Sequence, residues 1–191
     1  MRRHRLFVAV EVDADVRARL VEAQRILASS SRGVKWVEFE NIHLTIKFIG
    51  EVDTPLMYEI TKTVEEAVSG VAPFSYSVDG LGAFPENGVP RVVWAGVGQG
   101  ADTLEALYSR LNKTLVAYGV AFERRRFVPH ITLGRVRSKK NAANLRSAIA
   151  QFANRHFGIV DADRVVLFES QLTKSGPIYT PVATFCLSST G

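Results

Sequence analysis

The stretch Phe127-Val128-Pro129-His130-Ile131-Thr132-Leu133 has a near copy earlier in the chain, Asn41-Ile42-His43-Leu44-Thr45-Ile46. Each copy reads His, aliphatic, Thr, aliphatic. Side chains alternate between the two faces of an extended strand, so each histidine shares a face with its threonine and the aliphatic residues lie on the other. Two of the chain's four histidines fall in this pattern. The repetition predicts one site built from two related strands.

The composition is that of an ordinary soluble globular protein, since 47% of the 191 residues are hydrophobic and 23% are charged. The net charge of +5 favours an anionic partner such as nucleic acid or a phosphorylated metabolite. The single cysteine, Cys186, excludes an internal disulfide and a zinc site built from cysteines. Because the sequence shows neither a signal peptide nor an apolar run of membrane-spanning length, we expect a cytoplasmic protein that has no membrane partner.

Hydrophobic periodicity predicts alternating strands and helices in one domain, residues 1–191, without a linker or a short repeat. Asp13 and Thr54 stand at the expected N-cap positions of the first two helices. The predicted strands are 6–10, 34–39, 42–49, 74–81, 91–97, 127–136, 165–172 and 179–187. The predicted helices run from about 16 to 27, from Thr54 to Gly70, from 104 to Gly119 and from Asn141 to about Asn154. The two His-x-Thr strands occupy corresponding places in a loose duplication.

The other two histidines, His4 and His156, lack a patterned neighbourhood, and we interpret them as packed or surface residues without chemistry. Coincidence is a poor explanation for His43 and His130, because the same four-residue pattern would have to arise twice. A metal site is one alternative for this pair. It would need a third ligand, and neither motif has an adjacent Asp, Glu or Cys on the face of its histidine.

A pair of imidazoles fits acid–base chemistry better, because an ordinary histidine pKa near 6.5 allows one to act as general base and the other as general acid. Hydrolysis of a cyclic phosphate needs both groups. One takes a proton from the attacking water, and the other gives a proton to the departing sugar oxygen. The hydroxyls of Thr45 and Thr132 lie two residues along on the same face, where they can donate hydrogen bonds to the non-bridging phosphate oxygens.

The sequence resembles the 2H phosphoesterases, and within them the RNA 2',3'-cyclic phosphodiesterases that are also called 2'-5' RNA ligases. Both His-x-Thr motifs are intact, and the resemblance covers nearly the whole chain. The stretches that carry it are Arg5–Val10, Val34–Val37, Asn41–Gly50, Gly82–Pro85, Arg91–Trp94, Pro129–Val136, Leu167–Ser170 and Gly176–Tyr179.

The resemblance implies a two-lobed α+β fold, with an antiparallel sheet and helices in each lobe and a central cleft across which the motifs face each other. It also implies hydrolysis of a terminal 2',3'-cyclic phosphate on RNA to a 2'-phosphate, without a metal or other cofactor, and 2'-5' ligation as the reverse reaction. In the family's usual assignment the first histidine, here His43, donates the proton and the second, His130, accepts it. Residue spacing alone does not order the two roles.

Arginines near the second motif are candidate substrate ligands. Arg126 ends the basic run Arg124–Arg126, for which a merely solvated face is an equal alternative. Arg135 lies at the end of the second motif strand, near the expected mouth of the cleft, where a guanidinium can stack on a base or pair with phosphate. Strict alternation from His130 nevertheless places Arg135 on the opposite face.

Aromatic residues supply two further candidates for substrate binding. Phe48 would form the opposite side of a base clamp, although its parity differs from that of His43 and an aromatic residue in a strand is more often core. Tyr179, in a Gly-Pro-Ile-Tyr turn, is placed to reach the cleft. We interpret the remaining aromatic residues of the matched stretches as packing: Phe7, Trp36 and Trp94.

The function expected from the residues and the resemblance is that of an RNA 2',3'-cyclic phosphodiesterase. We expect a monomer whose partner is RNA with a 2',3'-cyclic phosphate end, tRNA fragments among them. Two alternatives remain open at this point. One is a cyclic phosphodiesterase acting on small nucleotides, and the other is a non-catalytic module that binds RNA ends.

Overall fold

The computed structural model describes residues 2–30, 32–138, 140, 142–174 and 176–189. Asn141, the predicted start of the fourth helix, lies outside these ranges. The strands are β1 (Arg3–Glu11), β2 (Val34–Trp36), β3 (His43–Asp53), β4 (Phe74–Phe84), β5 (Val92–Val97), β6 (His130–Val136), β7 (His156–Ala162), β8 (Arg164–Leu172) and β9 (Pro177–Cys186). The helices are α1 (Ala14–Ser30), α2 (Thr54–Val68), α3 (Ala101–Thr114) and α4 (Ala142–Ala150), with short 3-10 turns at Phe39–Asn41 and Leu115–Tyr118.

In the described residues, nine strands form an antiparallel sheet in the order β7-β4-β5-β6-β3-β1-β8-β9, with β2 added beside β6. Leu44 and Ile131 are the one backbone pair recorded there between β3 and β6. This joint divides the sheet into lobe A, made of β7, β4, β5, β6 and β2, and lobe B, made of β3, β1, β8 and β9. The predicted α+β class with antiparallel strands in two lobes is confirmed, and the two halves are continuous through that pair.

Two pairs of helices cover the back of the sheet. α1 and α4 pack on each other and on lobe A, through β7 and β4, whereas α2 and α3 pack on each other and on lobe B, through β3. The segments β1-α1-β3-α2 and β5-α3-β6-α4 therefore follow the same path. In each, the first helix crosses to the other lobe before the chain returns with its motif strand. The duplication is thus a two-fold pattern in which each lobe contains segments of both repeats.

The main hydrophobic core lies between these helices and the sheet. A second, smaller cluster lies on the opposite face, which we call the front face because it carries the motif histidines. Its buried members are Phe7, Ala9, Val166 and Phe168, with Tyr179 packed against them. β1 is therefore covered on both sides, which explains its uninterrupted apolar run from Leu6 to Val10. No helix in the described ranges combines the length and the apolar character needed to cross a bilayer.

The structure differs from the predicted elements at four places that bear on the site or its frame: β7, β2, β6 and the start of α2. β7 was not predicted, because Gly158, with a φ of 138°, interrupts the alternation of apolar and polar residues. β2 ends at Trp36 rather than at residue 39, and β6 begins at His130 rather than at residue 127. The N-cap of α2 is Asp53 rather than Thr54, since an Asp53 carboxylate oxygen accepts a hydrogen bond from the backbone N–H of Leu56 at 3.0 Å.

Candidate active site

The two motif strands meet at the joint between the lobes. Leu44 and Ile131, which form the backbone pair, are both completely buried. In an antiparallel register this pair sets His43 opposite Thr132 and Thr45 opposite His130, with all four side chains on the front face. The fold thus brings the four polar residues of the two motifs together from both lobes.

Both histidines are anchored in the same way. The Nδ1–H of His43 donates to the carbonyl oxygen of Asn41, two residues upstream, at 2.7 Å, and the Nδ1–H of His130 donates to that of Val128, also at 2.7 Å. A carbonyl oxygen only accepts hydrogen bonds, so Nδ1 carries the proton in the neutral ring. Each Nε2 is then the atom that gains or loses a proton.

His43 stands among aromatic rings. Its ring centroid lies 5.0 Å from that of Phe7 and 5.2 Å from that of Tyr179, which meets it edge-on. The Thr45 hydroxyl donates to Nε2 at 2.9 Å. Burial lowers the pKa of His43 to about 4, against a smaller opposing effect of the Asn41 carbonyl. In the free protein His43 is consequently neutral at pH 7.

The surroundings of His130 contain a cation as well as aromatic rings. Phe84 meets the imidazole edge-on at 5.1 Å and Trp94 lies at 6.4 Å. Burial lowers the pKa of His130, the Val128 carbonyl raises it, and the positive charge of Arg135 lowers it. In this lobe a guanidinium therefore acts directly on the titrating group.

The strict alternation that argued against Phe48 and Arg135 is broken in both motif strands. The register of β3 against β1 shifts between Thr45 and Lys47, and that of β6 against β5 shifts between Thr132 and Gly134. Each shift inserts a β-bulge, so that two successive residues face the core and the following one emerges on the front face. The parity argument was therefore wrong. Phe48 and Arg135 line the same cavity as His43.

A cavity of about 980 Å³ opens on the front face between the lobes. Six of the predicted site residues line it: His43, Thr45, Phe48, Thr132, Arg135 and Tyr179. His130 stands beside this lining rather than in it, between its aromatic neighbours and Thr132. Arg126 lies elsewhere, because its guanidinium is exposed and forms an ion pair with Glu105 of α3 at 3.5 Å.

Two basic residues of the cavity, Arg5 and Lys35, were not predicted from the sequence. They line it together with Arg137, one of the basic residues that follow the second motif, and with the glutamates Glu38 and Glu51. Arg5 precedes Phe7 by two positions, so the alternation of β1 contained a signal for it. Phe7 itself is packed, as interpreted, and the ring of His43 is one of those against which it packs.

The two remaining histidines form contacts outside the cavity. Buried His4 lies between a Glu169 carboxylate oxygen at 3.0 Å and the Thr54 hydroxyl at 3.1 Å, and exposed His156 contacts an Asp79 carboxylate oxygen at 2.7 Å. Among the described residues, no group of three or more His, Cys, Asp or Glu side chains is arranged to hold a metal ion.

A buried lysine connects the first motif strand to the segment that leads into the second. Lys47 follows Thr45 by two residues and is 2% exposed. Its ammonium donates to the Asn112 amide oxygen at 2.9 Å and to the Ala121 carbonyl oxygen at 3.2 Å, and it lies 3.3 Å from a Glu123 carboxylate oxygen. β3 is thereby fixed to α3 and to the chain that approaches His130.

Comparison with known proteins gives consistent sequence matches. The sequence profile of the 2'-5' RNA ligase superfamily matches residues 12–173. A Methanothermobacter thermautotrophicus protein named RNA 2',3'-cyclic phosphodiesterase is 37% identical over 183 residues, which cover 96% of this chain and 98% of that protein. A Thermotoga maritima protein of the same name is 37% identical over 175 residues, covering 92% of this chain and 91% of that protein.

Solved structures agree with the sequence matches. A crystal structure of a Thermus thermophilus protein superposes with a TM-score of 0.80 at 30% identity and covers 97% of this chain and 98% of that one. E. coli LigT, crystallised with 3'-AMP, gives a TM-score of 0.81 at 23% identity and shares the fold over 98% of this chain and 100% of its own. The paired motifs, the two-lobed sheet and these matches agree, and the chain belongs to the 2'-5' RNA ligase superfamily.

Proposed function

We propose that this protein is an RNA 2',3'-cyclic phosphodiesterase that opens the terminal cyclic phosphate to a 2'-phosphate. One observation carries the proposal. Two imidazoles, each fixed through Nδ1 to a backbone carbonyl, stand on adjoining strands, each opposite the threonine of the other motif. The curated relatives that bear this activity in their names match over nearly the whole chain.

In the reaction one Nε2 atom accepts a proton and the other donates one. His130 takes a proton from a water molecule, whose oxygen attacks phosphorus. The bond between phosphorus and the 3'-oxygen breaks, and His43 gives its Nε2 proton to that oxygen, which leaves a 3'-hydroxyl and a 2'-phosphate. The assignment of donor and acceptor follows the family's usual order. Ligation is not the reverse of this step but the same displacement with an RNA 5'-hydroxyl in place of water, so His130 takes the proton of that hydroxyl and His43 again protonates the 3'-oxygen. Cleavage of the resulting 2'-5' bond by the 3'-hydroxyl is the reverse direction, in which the two histidines exchange roles.

The surrounding groups are suited to the charge of this reaction. The hydroxyls of Thr45 and Thr132 donate to the non-bridging oxygens, where negative charge develops in the transition state. Arg135 contributes a fixed positive charge near His130. An anionic phosphate held between the imidazoles favours their protonated forms, so substrate binding raises both pKa values above those of the free protein. The donor is thereby charged when it is needed.

The proposal includes the organisation of the chain. Lobe A supplies His130 and lobe B supplies His43, so one chain folded as a single two-lobed domain, residues 1–191, contains both catalytic groups. A monomer is accordingly sufficient for activity. Size-exclusion chromatography with light scattering, run beside the activity assay, tests this point.

The decisive assay incubates the protein, in the presence of a chelator, with an RNA oligonucleotide that ends in a 2',3'-cyclic phosphate, and identifies the product by NMR. We expect a 2'-phosphate from the wild-type protein. A 3'-phosphate would keep the acid–base pair but reverse the proposed regiochemistry. Activity that disappears with the chelator would contradict the mechanism.

A further inference from the structure

The Val128 carbonyl that anchors His130 belongs to an irregular segment of the chain. Residues 120–129 are all described by the structure, form neither helix nor strand, and expose most of their side chains. The carbonyl that anchors His43 is different, since Asn41 ends a 3-10 turn that is closed by its own backbone hydrogen bonds. Local secondary structure therefore does not fix the Val128 carbonyl, and other groups must hold it.

Two residues of α3 hold Glu123, in the middle of this segment. The Asn112 amide nitrogen donates to the Glu123 carbonyl oxygen at 2.9 Å, and the Asn112 amide oxygen accepts from the Glu123 backbone N–H at 3.0 Å. The Tyr108 hydroxyl donates to a Glu123 carboxylate oxygen at 3.1 Å. One side-chain amide thus bonds both backbone groups of Glu123, as a neighbouring antiparallel strand would, and so fixes the orientation of the chain there.

The same helix face contacts the segment a second time, next to Val128. The Tyr108 ring stacks on that of Phe127, with ring centroids 4.4 Å apart and planes inclined by 9°. Phe127 directly precedes Val128, whose carbonyl oxygen accepts from the Nδ1–H of His130. Because Tyr108 and Asn112 are four residues apart, they lie on one face of α3. This face therefore holds the segment at two points, and the second adjoins the anchor of the imidazole.

The support for this helix face comes from lobe B. Lys47 of β3 donates to the Asn112 amide oxygen at 2.9 Å, and its ammonium lies 5.8 Å from the centroid of the Tyr108 ring. Lys47 and Asn112 are 2% and 4% exposed, so the surrounding packing restricts both side chains. Tyr108, Asn112 and Lys47 together form a support cluster. It lies on the lobe that carries His43, although the ring that it serves, that of His130, belongs to lobe A.

We propose that the support cluster consists of positioning residues for His130, which act by fixing the Val128 carbonyl to which its Nδ1–H donates. The inference rests on the proposed function, in which Nε2 of His130 accepts the proton of the attacking water. An imidazole that accepts at Nε2 holds its own proton at Nδ1, and the hydrogen bond at Nδ1 selects that tautomer. Displacement of such a ring by about 1 Å can lower turnover about 10²-fold.

Asn112→Leu tests this role, because leucine has a similar shape but cannot bond the segment. We expect kcat for the cyclic-phosphate RNA to fall by about 10- to 10²-fold while KM stays nearly unchanged, since the groups that bind the phosphate remain in place. Nitrogen NMR of the imidazole rings supplies a readout that a merely structural role would not move. The His130 signals should shift towards the Nε2–H tautomer, and the pKa of His130 should fall, because the Val128 carbonyl raises it. The His43 signals should stay as in the wild type.

The ring stack is tested by a pair of variants at one position. Tyr108→Phe keeps the stack on Phe127, whereas Tyr108→Leu removes it. We expect Tyr108→Phe to retain most of the wild-type kcat and Tyr108→Leu to lose about tenfold, because an aromatic pair contributes up to about that factor. Both variants leave the bond between Lys47 and Asn112 in place, so this pair decides the question if Asn112→Leu does not fold.

The matched control is Thr63→Val, a change of another buried polar residue, whose hydroxyl donates to the Glu59 carbonyl oxygen within α2 at 3.0 Å. It should leave kcat and the signals of both imidazoles as in the wild type.

The outcomes separate this inference from the proposed function. Wild-type kcat and wild-type His130 signals in both Asn112→Leu and Tyr108→Leu would overturn the positioning role and leave the phosphodiesterase in place. Equal changes at His43 and His130 would also overturn it, because they would show a general loss of structure. Lack of turnover by the wild-type protein would overturn the proposed function, whereas the tautomer of His130 in the variants would still decide whether the support cluster fixes the ring.

Discussion

The motif strands β3 and β6 begin with the same four-residue pattern and end with different chemistry. Both hold a histidine through its Nδ1–H, and both bulge after the threonine. At the next two positions β3 has Lys47 and Phe48, where β6 has Gly134 and Arg135. The duplicated part is thus the proposed acid–base pair with its two threonines. The surroundings have diverged, since both imidazoles lie against aromatic rings but only near His130 does a guanidinium shift the pKa of the ring.

The first of these differences concerns packing behind the sheet. Lys47 points into the interior, where its ammonium is bound by Asn112 and by the segment before β6. At Gly134 a Cβ atom would lie 2.7 Å from a Val34 methyl carbon and 2.8 Å from the Trp36 ring, so β2 occupies the space that a side chain would need. One strand is held by a buried polar network and the other by the close approach of a neighbouring strand.

The largest expected effect tests whether the two histidines act as one unit. His43→Ala and His130→Ala should each lower kcat by about 10²- to 10⁴-fold, because each removes one proton-transfer group. The double variant should have about the same kcat as the less active of the two single variants, because neither group works without the other. Turnover of a cyclic-phosphate RNA measures this effect, with His156→Ala as the control. Wild-type turnover in either single variant would show that the strands do not share the chemistry.

A smaller effect distinguishes the two threonines. Thr45→Val and Thr132→Val should each lower kcat on the order of 10²-fold, because each removes a donor to the phosphate. Of these two threonines, Thr45 alone donates to a histidine Nε2 within the part of the chain that the structure describes. Its loss removes a bond that favours the neutral ring of His43, so the pKa of His43 should rise in Thr45→Val alone. NMR titration of the histidine rings measures this change, and equal shifts in both variants would contradict the asymmetry.

The packing difference predicts stability changes. Lys47→Met should lower the free energy of unfolding by about 1–3 kcal/mol, since the hydrogen bonds of the ammonium to the buried Asn112 amide oxygen and to the Ala121 carbonyl oxygen are lost. Gly134→Ala should lower it by a similar amount, about 1–3 kcal/mol, through overpacking against Trp36. Lys62→Met, an exposed change on α2, is the control and should stay within about 0.5 kcal/mol. Urea unfolding measures all three. An unchanged free energy of unfolding in Lys47→Met would contradict a stabilising role of the buried network.

The smallest effect is a displacement of the pH profile. With the pKa of His43 at about 4 and that of His130 below 6.5, kcat/KM should be greatest between about pH 4 and 6.5 and fall at higher pH. The profile of kcat should be centred at higher pH, because bound phosphate raises both pKa values. Coincident profiles would show that the substrate does not alter the two imidazoles.

The same pKa directions determine how stability depends on pH. As the pH falls, a histidine with a lowered pKa in the folded protein takes up its proton more readily in the unfolded chain, which favours unfolding. The contribution of His43 to stability is therefore fully present above pH 6.5 and is lost as the pH falls towards about 4. His43→Phe should lose less stability over that interval than the wild-type protein. Thermal unfolding across the interval measures the difference, and identical curves would contradict burial of a neutral His43.

The sequence allowed the paired motifs to be predicted, because alternation within four residues is a local property. It did not allow Phe48 and Arg135 to be placed, since each bulge depends on pairing with a neighbouring strand, β1 or β5. The partners of Lys47 were hidden for the same reason, as they lie 65 and 74 residues away in the chain. Local patterns thus predicted the candidate catalytic residues, and long-range pairing decided what surrounds them.

The crossing of the helices between the lobes has a consequence for dividing the chain. A cut between β5 and α3, at Gly98–Gly100, gives one fragment with β1 to β5 and His43, and another with β6 to β9 and His130. Each lobe needs strands from both fragments, so neither fragment contains a complete half-sheet. We expect each fragment alone to be unfolded and inactive, and the two together to recover turnover on association. The fold is therefore suited to a split-enzyme reporter, in which the signal reports that two attached proteins have come together.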